Sequence, residues 1–305
     1  MKLKIFIVFW FGIAWSTVDA ANRVPVTFQH SAIVGAPADL KSLDVYSEGR
    51  AEGSPVLVFV HGGGWVSGNK SNVQLAPRFL EYFEKRGMVV VSVGFRLVAD
   101  GALPGITFRE QTTDIAAALK WVSTNIRDHK GDPRKIILMG YSAGAHLVAL
   151  LSTDETYLRT QGLDLSVLKG VIALDVNSYD IPQAIVEAPS LGVPVSPANL
   201  RKVFSSDLAA QQAASPISHV RVGRSYSPTL VIYTGTFDTS PAGAFRNTLS
   251  KVQSERFVAA LRKVGAEAQS YGDLEQTHRG IMRDFGTADD GITVAINEFL
   301  DRLAK

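Results

Sequence analysis

The chain has 305 residues, 46% hydrophobic and 20% charged, with a formal net charge of +2. Such a balance fits a globular core and excludes a disordered or strongly polyionic chain. There is no basic stripe with interleaved aromatics, so nucleic acid is not an expected partner. There is no cysteine, so disulfides and lipid attachment through a thiol are excluded.

Residues 1–20 read as a secretory signal. Lys2 and Lys4 precede an apolar stretch from Ile5 to Trp15, and Val18-Asp19-Ala20 precedes Ala21. The apolar run is much shorter than the roughly 20 residues a spanning helix needs. The expectation is an exported protein, periplasmic or extracellular, with no stable membrane anchor after cleavage. Residues 21–305 then form one domain.

Strand and helix patterns alternate after about residue 40. Strands are predicted at 42–47, 56–60, 88–93, 135–139, 170–174, 229–233 and 267–271. Several are unbroken apolar runs such as Val56-Leu57-Val58-Phe59-Val60, as strands buried on both faces require. Helices are predicted at 73–86, 109–128, 143–152, 251–264 and 289–303, with Gly131-Asp132-Pro133 ending one of them. The alternation predicts an α/β fold with a mostly parallel sheet and helices on both sides. Residues 176–227 contain five prolines and are too long for an ordinary connection. They predict an inserted lid or cleft lining with a helix near 198–213, in which Val186, Leu191, Val193 and Val195 could form an apolar wall.

The chemistry is carried by three segments. Gly140-Tyr141-Ser142-Ala143-Gly144 lies between a strand pattern and a helix pattern. A serine in so sharp a turn exposes its hydroxyl at the sheet rim, and the next residue, Ala143, opens the helix with an unpaired N–H. His61-Gly62-Gly63-Gly64-Trp65 follows the strand 56–60. Its glycines expose amides, and those of Gly63 and Gly64, with Ala143, are the candidate oxyanion donors. No Lys-Ser or Lys-Thr pair follows, so the loop is not a phosphate cradle of the P-loop kind. His61 is read as tying the loop together. Trp65 and Tyr141 are read as substrate-binding.

The base is sought in the order Ser, acid, His. Among six histidines, His278 lies on a strand-tip loop beyond all candidate acids. Asp238, at the end of the strand 229–233, is the expected orienting acid. Asp273 and Glu275 are alternatives, and Asp175 is read as a support for its loop or, second, as another candidate acid. No His or carboxylate cluster has metal-ligand spacing, and no cofactor is implied.

These residues resemble the α/β-hydrolase superfamily. More narrowly they are similar to the bacterial carboxylesterase-like branch with His-Gly-Gly-Gly-Trp, near the hormone-sensitive-lipase-type esterases and the arylformamidases. The resemblance covers about residues 40–303 and is most specific from Gly131 to Leu147. It implies nucleophile Ser142, acid Asp238, base His278 and oxyanion amides from Gly63, Gly64 and Ala143. It implies that Arg96 and Asp114 buttress the site, and that the partner is a small ester. Two features depart from the family pattern: Phe95 replaces a usual tyrosine, and 40 residues separate Asp238 from His278. An arylformamidase-type amide hydrolase, a peptidase and a non-catalytic binding module are the competing expectations.

Overall fold

The computed structural model describes residues 24–31, 37–98, 105–191, 197–237, 245–287 and 289–305. The expected signal at 1–20, Asp238, Val193 and Val195 lie outside the described residues. Among these residues nine strands form one sheet: β1 (Val26–Gln29), β2 (Ser42–Tyr46), β3 (Ser54–Val60), β4 (Val89–Val93), β5 (Gly131–Tyr141), β6 (Leu168–Leu174), β7 (Thr229–Phe237), β8 (Phe245–Arg246) and β9 (Ala268–Thr277). The order is β1-β2-β4-β3-β5-β6-β7-β8, with β9 also on β7. The β4, β3, β5, β6, β7 and β9 strands run parallel, while β1, β2 and β8 pair antiparallel.

Alternate side chains of each central strand enter two separate cores. Val56, Val58 and Val60 of β3 face one core, with Ile136 and Leu138 of β5 and Val171 and Ala173 of β6. Leu57 and Phe59 face the other, with Ile137, Met139, Ile172 and Leu174. This two-sided burial is why the sequence shows unbroken apolar runs instead of alternation. Each fully buried Val or Leu contributes about 1.5–3 kcal/mol relative to exposure.

The first core is covered by α2 (Phe108–Asn125), α3 (Ala143–Thr153), the short α4 (Thr156–Arg159), α5 (Ile181–Glu187), α6 (Pro197–Phe204), α7 (Leu208–Ala214) and α8 (Thr248–Lys263). The second is covered by α1 (Pro77–Lys85), α9 (Gly280–Asp284) and α10 (Gly291–Leu303). Two boundaries differ from the sequence prediction. The expected helix 73–86 is a 3-10 segment, Lys70–Leu75, followed by α1, because Pro77 has no N–H and can only open a helix. Gly131-Asp132-Pro133 is already the start of β5.

Among its described residues the insertion 176–227 holds three α-helices and a 3-10 turn, not one helix. Asp180 caps α5 by accepting from the Gln183 amide, and Pro182 falls in its first turn, where proline is tolerated. Ser205, at φ +72°, separates α6 from α7. Ile181, Ala184, Leu200, Phe204 and Ala214 are buried in the first core, so these helices pack onto the sheet. Val186 is 70% exposed and forms no wall, whereas Leu191 packs against that core.

Candidate active site

Parallel strands all end on the same rim, and this rim gathers the site. Ser142 follows β5, Asp175 follows β6, His278 follows β9, and the glycine loop follows β3. Each of the first three is fixed by its backbone. The Ser142 amide donates to the Leu174 carbonyl at 2.8 Å, the Asp175 amide to Ile232 at 2.9 Å, and the His278 amide to Thr236 at 2.8 Å.

The turn at Ser142 is sterically enforced. Ser142 sits at φ +55°, ψ −121°, which costs of order 1–3 kcal/mol for a residue with a Cβ. A Cβ on Gly140 would lie 2.2 Å from the Gly144 carbonyl oxygen, and one on Gly144 would lie 2.2 Å from the Val60 carbonyl oxygen. Both motif glycines are therefore set by backbone contact. The helix that begins at Ala143 holds the turn in place.

His278 Nε2 lies 3.0 Å from Ser142 Oγ, and His278 Nδ1 lies 2.7 Å from Asp175 Oδ2. The carboxylate fixes the tautomer. Nδ1–H donates to Asp175, which leaves the Nε2 lone pair to accept the serine O–H. The imidazole also stacks on Phe237 and Tyr141, with ring centroids 4.3 and 5.0 Å away.

The expected partnership of Asp238 with His278 is thus corrected. The carboxylate that meets the imidazole is Asp175. The β6 strand lies between the serine strand and β7, and β9 lies beyond on β7, so the tip of β6 falls between serine and histidine. Asp175 is 1% exposed and also accepts from Thr234 Oγ1 (2.6 Å), Asn247 Nδ2 (3.0 Å) and Ser250 Oγ (2.5 Å). A buried carboxylate needs such donors. Thr234, Asn247 and Ser250 were not singled out in the sequence, since their role exists only once β6, β7 and α8 are neighbours. Asp273 instead accepts from the Glu275 and Gln276 amides within its own turn.

The oxyanion loop lies against the serine. The glycine in contact is Gly62, where a Cβ would approach Ser142 Cβ to 2.9 Å. It belongs to the run of three glycines but was not selected from sequence. Of the two that were, Gly63 is half-buried at φ +121° and Gly64 is exposed. His61 is fully buried; its Nδ1–H donates to the Gly62 carbonyl at 2.7 Å, and its ring stacks on Phe95 at 4.3 Å. Arg96 and Asp114 are paired, with Nη2–Oδ1 at 2.7 Å, and the Arg96 amide donates to the same carboxylate. On the same helix, Gln111 Nε2 donates to the Trp65 and Arg96 carbonyls, both at 2.8 Å, tying the loop to α2.

Trp65 does not face the cleft. At φ +66° the backbone turns its indole inward, where it is 8% exposed and packs on Phe204. Its Nε1–H donates to His146 Nδ1 at 3.2 Å, and His146 Nε2–H donates to the Ala214 carbonyl at 2.8 Å. His146 therefore joins α3, the glycine loop and the insertion as a neutral ring with both nitrogens used. Tyr141 serves the histidine as well as lining the cavity: its hydroxyl donates to the His278 carbonyl at 2.9 Å.

Burial pushes both His61 and His146 down to about 4 from an ordinary value near 6.5. The unfolded chain therefore binds more protons between pH 4 and 6.5. Stability is full above 6.5 and falls as pH drops toward 4. At pH 5 the loss is roughly 2 kcal/mol per histidine. Urea midpoints at pH 7.5 and 5.0 check this, and an unchanged midpoint would contradict it.

A cavity of about 680 Å³ is lined by Gly62, Gly63 and Tyr141 of the glycine loop and serine turn, and by Arg78, Arg279 and Arg283 among others. Among the described residues no group of three or more His, Cys, Asp or Glu is placed to hold a metal ion. No helix among them is long and apolar enough to cross a membrane.

A serine, an imidazole and a carboxylate in hydrogen-bonded series, on a rim beside a glycine loop, form an arrangement also found in known hydrolases. Residues 43–242 match the BD-FAE family. The chain belongs to this family. The BD-FAE chain is 29% identical over 249 residues to the esterase LipQ of Mycobacterium tuberculosis, covering 81% of this chain and 55% of that protein. It is 28% identical over 253 residues to the isoprenylcysteine alpha-carbonyl methylesterase ICME of Arabidopsis thaliana, covering 79% and 54%. The chain thus spans about half the length of these curated relatives.

Among solved structures, the α/β-hydrolase-like architecture is shared with a thermophilic esterase of Thermogutta terrifontis. The TM-score is 0.64 at 21% identity, covering 92% of this chain and 91% of that one. Other solved forms of that esterase are bound to propionate or phosphonylated by sarin. Esterase B of Lactobacillus Rhamnosis gives a TM-score of 0.66 at 19% identity, covering 92% and 87%.

Proposed function

We propose that this BD-FAE chain is a serine carboxylesterase acting on small esters. The observation that carries the proposal is the His278 ring bridging Ser142 at 3.0 Å and Asp175 at 2.7 Å. Ser142 Oγ attacks the ester carbonyl while His278 Nε2 takes its proton. The carbonyl electron pair moves onto oxygen, where the amides of Gly63, Gly64 and Ala143 donate to it. Collapse of the tetrahedral adduct expels the alcohol, which leaves with the proton from His278. Water then gives a proton to His278 and attacks the acyl-serine, and the second adduct collapses as His278 Nε2–H returns that proton to Ser142 Oγ, releasing the acid. Asp175 accepts from His278 Nδ1–H and stabilises the imidazolium in both halves.

A fluorophosphonate tests this directly, since only an activated serine reacts with it. One adduct per chain, mapped by mass spectrometry to the peptide containing Ser142, is expected, with loss of p-nitrophenyl acetate hydrolysis in proportion. Hydrolysis that persists in fully labelled protein would remove Ser142 from the reaction. An aryl formamide assayed in parallel places amide cleavage against ester cleavage, since both pass through the same tetrahedral adduct.

A further inference from the structure

His278 is only 4% exposed, so little water reaches the positive charge it gains on taking the Ser142 proton. Asp175 meets that charge at Nδ1. The flat of the ring meets two aromatic side chains instead. Phe237 stacks at 4.3 Å between centroids with 29° between planes, and Tyr141 at 5.0 Å with 27°.

The fold delivers Phe237 to this place. β7 and β9 pair in parallel, from Thr229 with Ala268 to Thr234 with Asp273. The register then slips, and the next pair is Thr236 with Thr277, so β9 advances four residues while β7 advances two. The extra chain folds over Gly235, where a Cβ would lie 1.9 Å from the Leu274 carbonyl oxygen. This slip sets His278 beside Phe237, and the His278 amide donates to the Thr236 carbonyl at 2.8 Å. β8 pairs with the other edge of the same tip, Phe237 opposite Phe245. The main chain therefore holds Phe237 in place from both edges.

The face of a benzene ring carries partial negative charge. A neutral imidazole gains mainly packing from such a face, whereas an imidazolium gains electrostatic attraction as well. The attraction counts for more where water is excluded. It is therefore stronger in the transition states than in the resting enzyme, and an interaction of that kind raises kcat. Tyr141 does not isolate the effect, since its hydroxyl also donates to the His278 carbonyl. The Phe237 side chain has no polar atom and acts through its ring alone.

We propose that Phe237 is a positioning residue of the esterase reaction, its ring face stabilising the His278 imidazolium formed in both halves. This rests on the esterase reading above.

The test separates ring charge from ring shape. In Phe237→Leu, kcat and kcat/KM for p-nitrophenyl acetate are expected to fall together by about tenfold, with KM unchanged. In Phe237→Tyr, which keeps the face, both should stay within about twofold. Mono-, tri- and pentafluorophenylalanine are then placed at position 237. Fluorine withdraws negative charge from the face and leaves the ring in place. A stepwise fall in kcat/KM with fluorine number is expected, about tenfold over the series. The fluorine series carries the test if Phe237→Leu does not fold. A loss in Phe237→Leu beside a flat fluorine series assigns the ring to packing and overturns the proposal. A folded Phe237→Leu with unchanged kcat, or a loss confined to KM, overturns it too. In each of these cases wild type still hydrolyses the ester and takes the fluorophosphonate, so the esterase reading stands. Wild type that does neither overturns that reading, and the role of Phe237 with it.

Discussion

Replacing Ser142 by alanine is expected to lower kcat for p-nitrophenyl acetate by on the order of 10⁴ to 10⁶. The hydroxyl is the atom within 3.0 Å of the Nε2 lone pair, so without it His278 has no nucleophile to deprotonate. Water cannot simply replace it, because the turn at φ +55° was built to hold this one atom against the glycine loop. What survives is acceleration from binding and oxyanion donors. The fold should be unaffected: the Cβ stays, and the anchoring contact to the Leu174 carbonyl is made by the main chain. A variant within tenfold of wild type, with an unchanged thermal midpoint, would transfer the chemistry to another residue.

The second large effect separates two aspartates. Asp175→Asn is expected to reduce kcat by about 10³ to 10⁴, by offering an amide N–H where His278 needs an acceptor and so favouring the wrong tautomer. It should also cost stability. Thr234, Asn247 and Ser250 all donate to this carboxylate, and one amide oxygen cannot satisfy them all; each buried donor left over costs about 1–3 kcal/mol. Asp238→Asn is expected to leave kcat within about threefold, since His278 Nδ1 already has Asp175 as its acceptor. Kinetics on both variants, with thermal midpoints, decide it. An active Asp175→Asn beside an inactive Asp238→Asn would reverse the assignment.

That reversal of aspartates also shows what a sequence can carry. The strand at Val56–Val60 was legible because burial on both faces leaves a local signature, and Ser142 because a strand, a tight turn and a helix are contiguous. His278 was legible by order along the chain. Asp175 was visible but read first as a support for its loop, because Asp175 and Asp238 look alike locally: each follows an apolar strand. What separates them is that β6 lies beside β5, which is a property of the sheet order. Trp65 misled for a related reason. An aromatic beside a glycine loop suggests a ligand contact, but its positive φ sends the ring to His146 and Phe204. The insertion read as a lid or cleft lining with a helix near 198–213, whereas Pro182 and Pro197 each fall in the first turn of a separate helix, where a missing N–H costs nothing. Gly62 was hidden among identical neighbours.

The three main-chain anchors at the rim have a consequence for how such a chain is able to change. Ser142, Asp175 and His278 are each tied to a carbonyl of an adjacent strand, so their separations follow the roughly 4.8 Å spacing of paired strands. The connections between strands do not set those separations. A segment such as 176–227 is therefore able to lengthen, shorten or change composition while the proton relay keeps its dimensions. The relay and these connections are mechanically separate parts of one domain, and the connections are free to drift while the relay stands still.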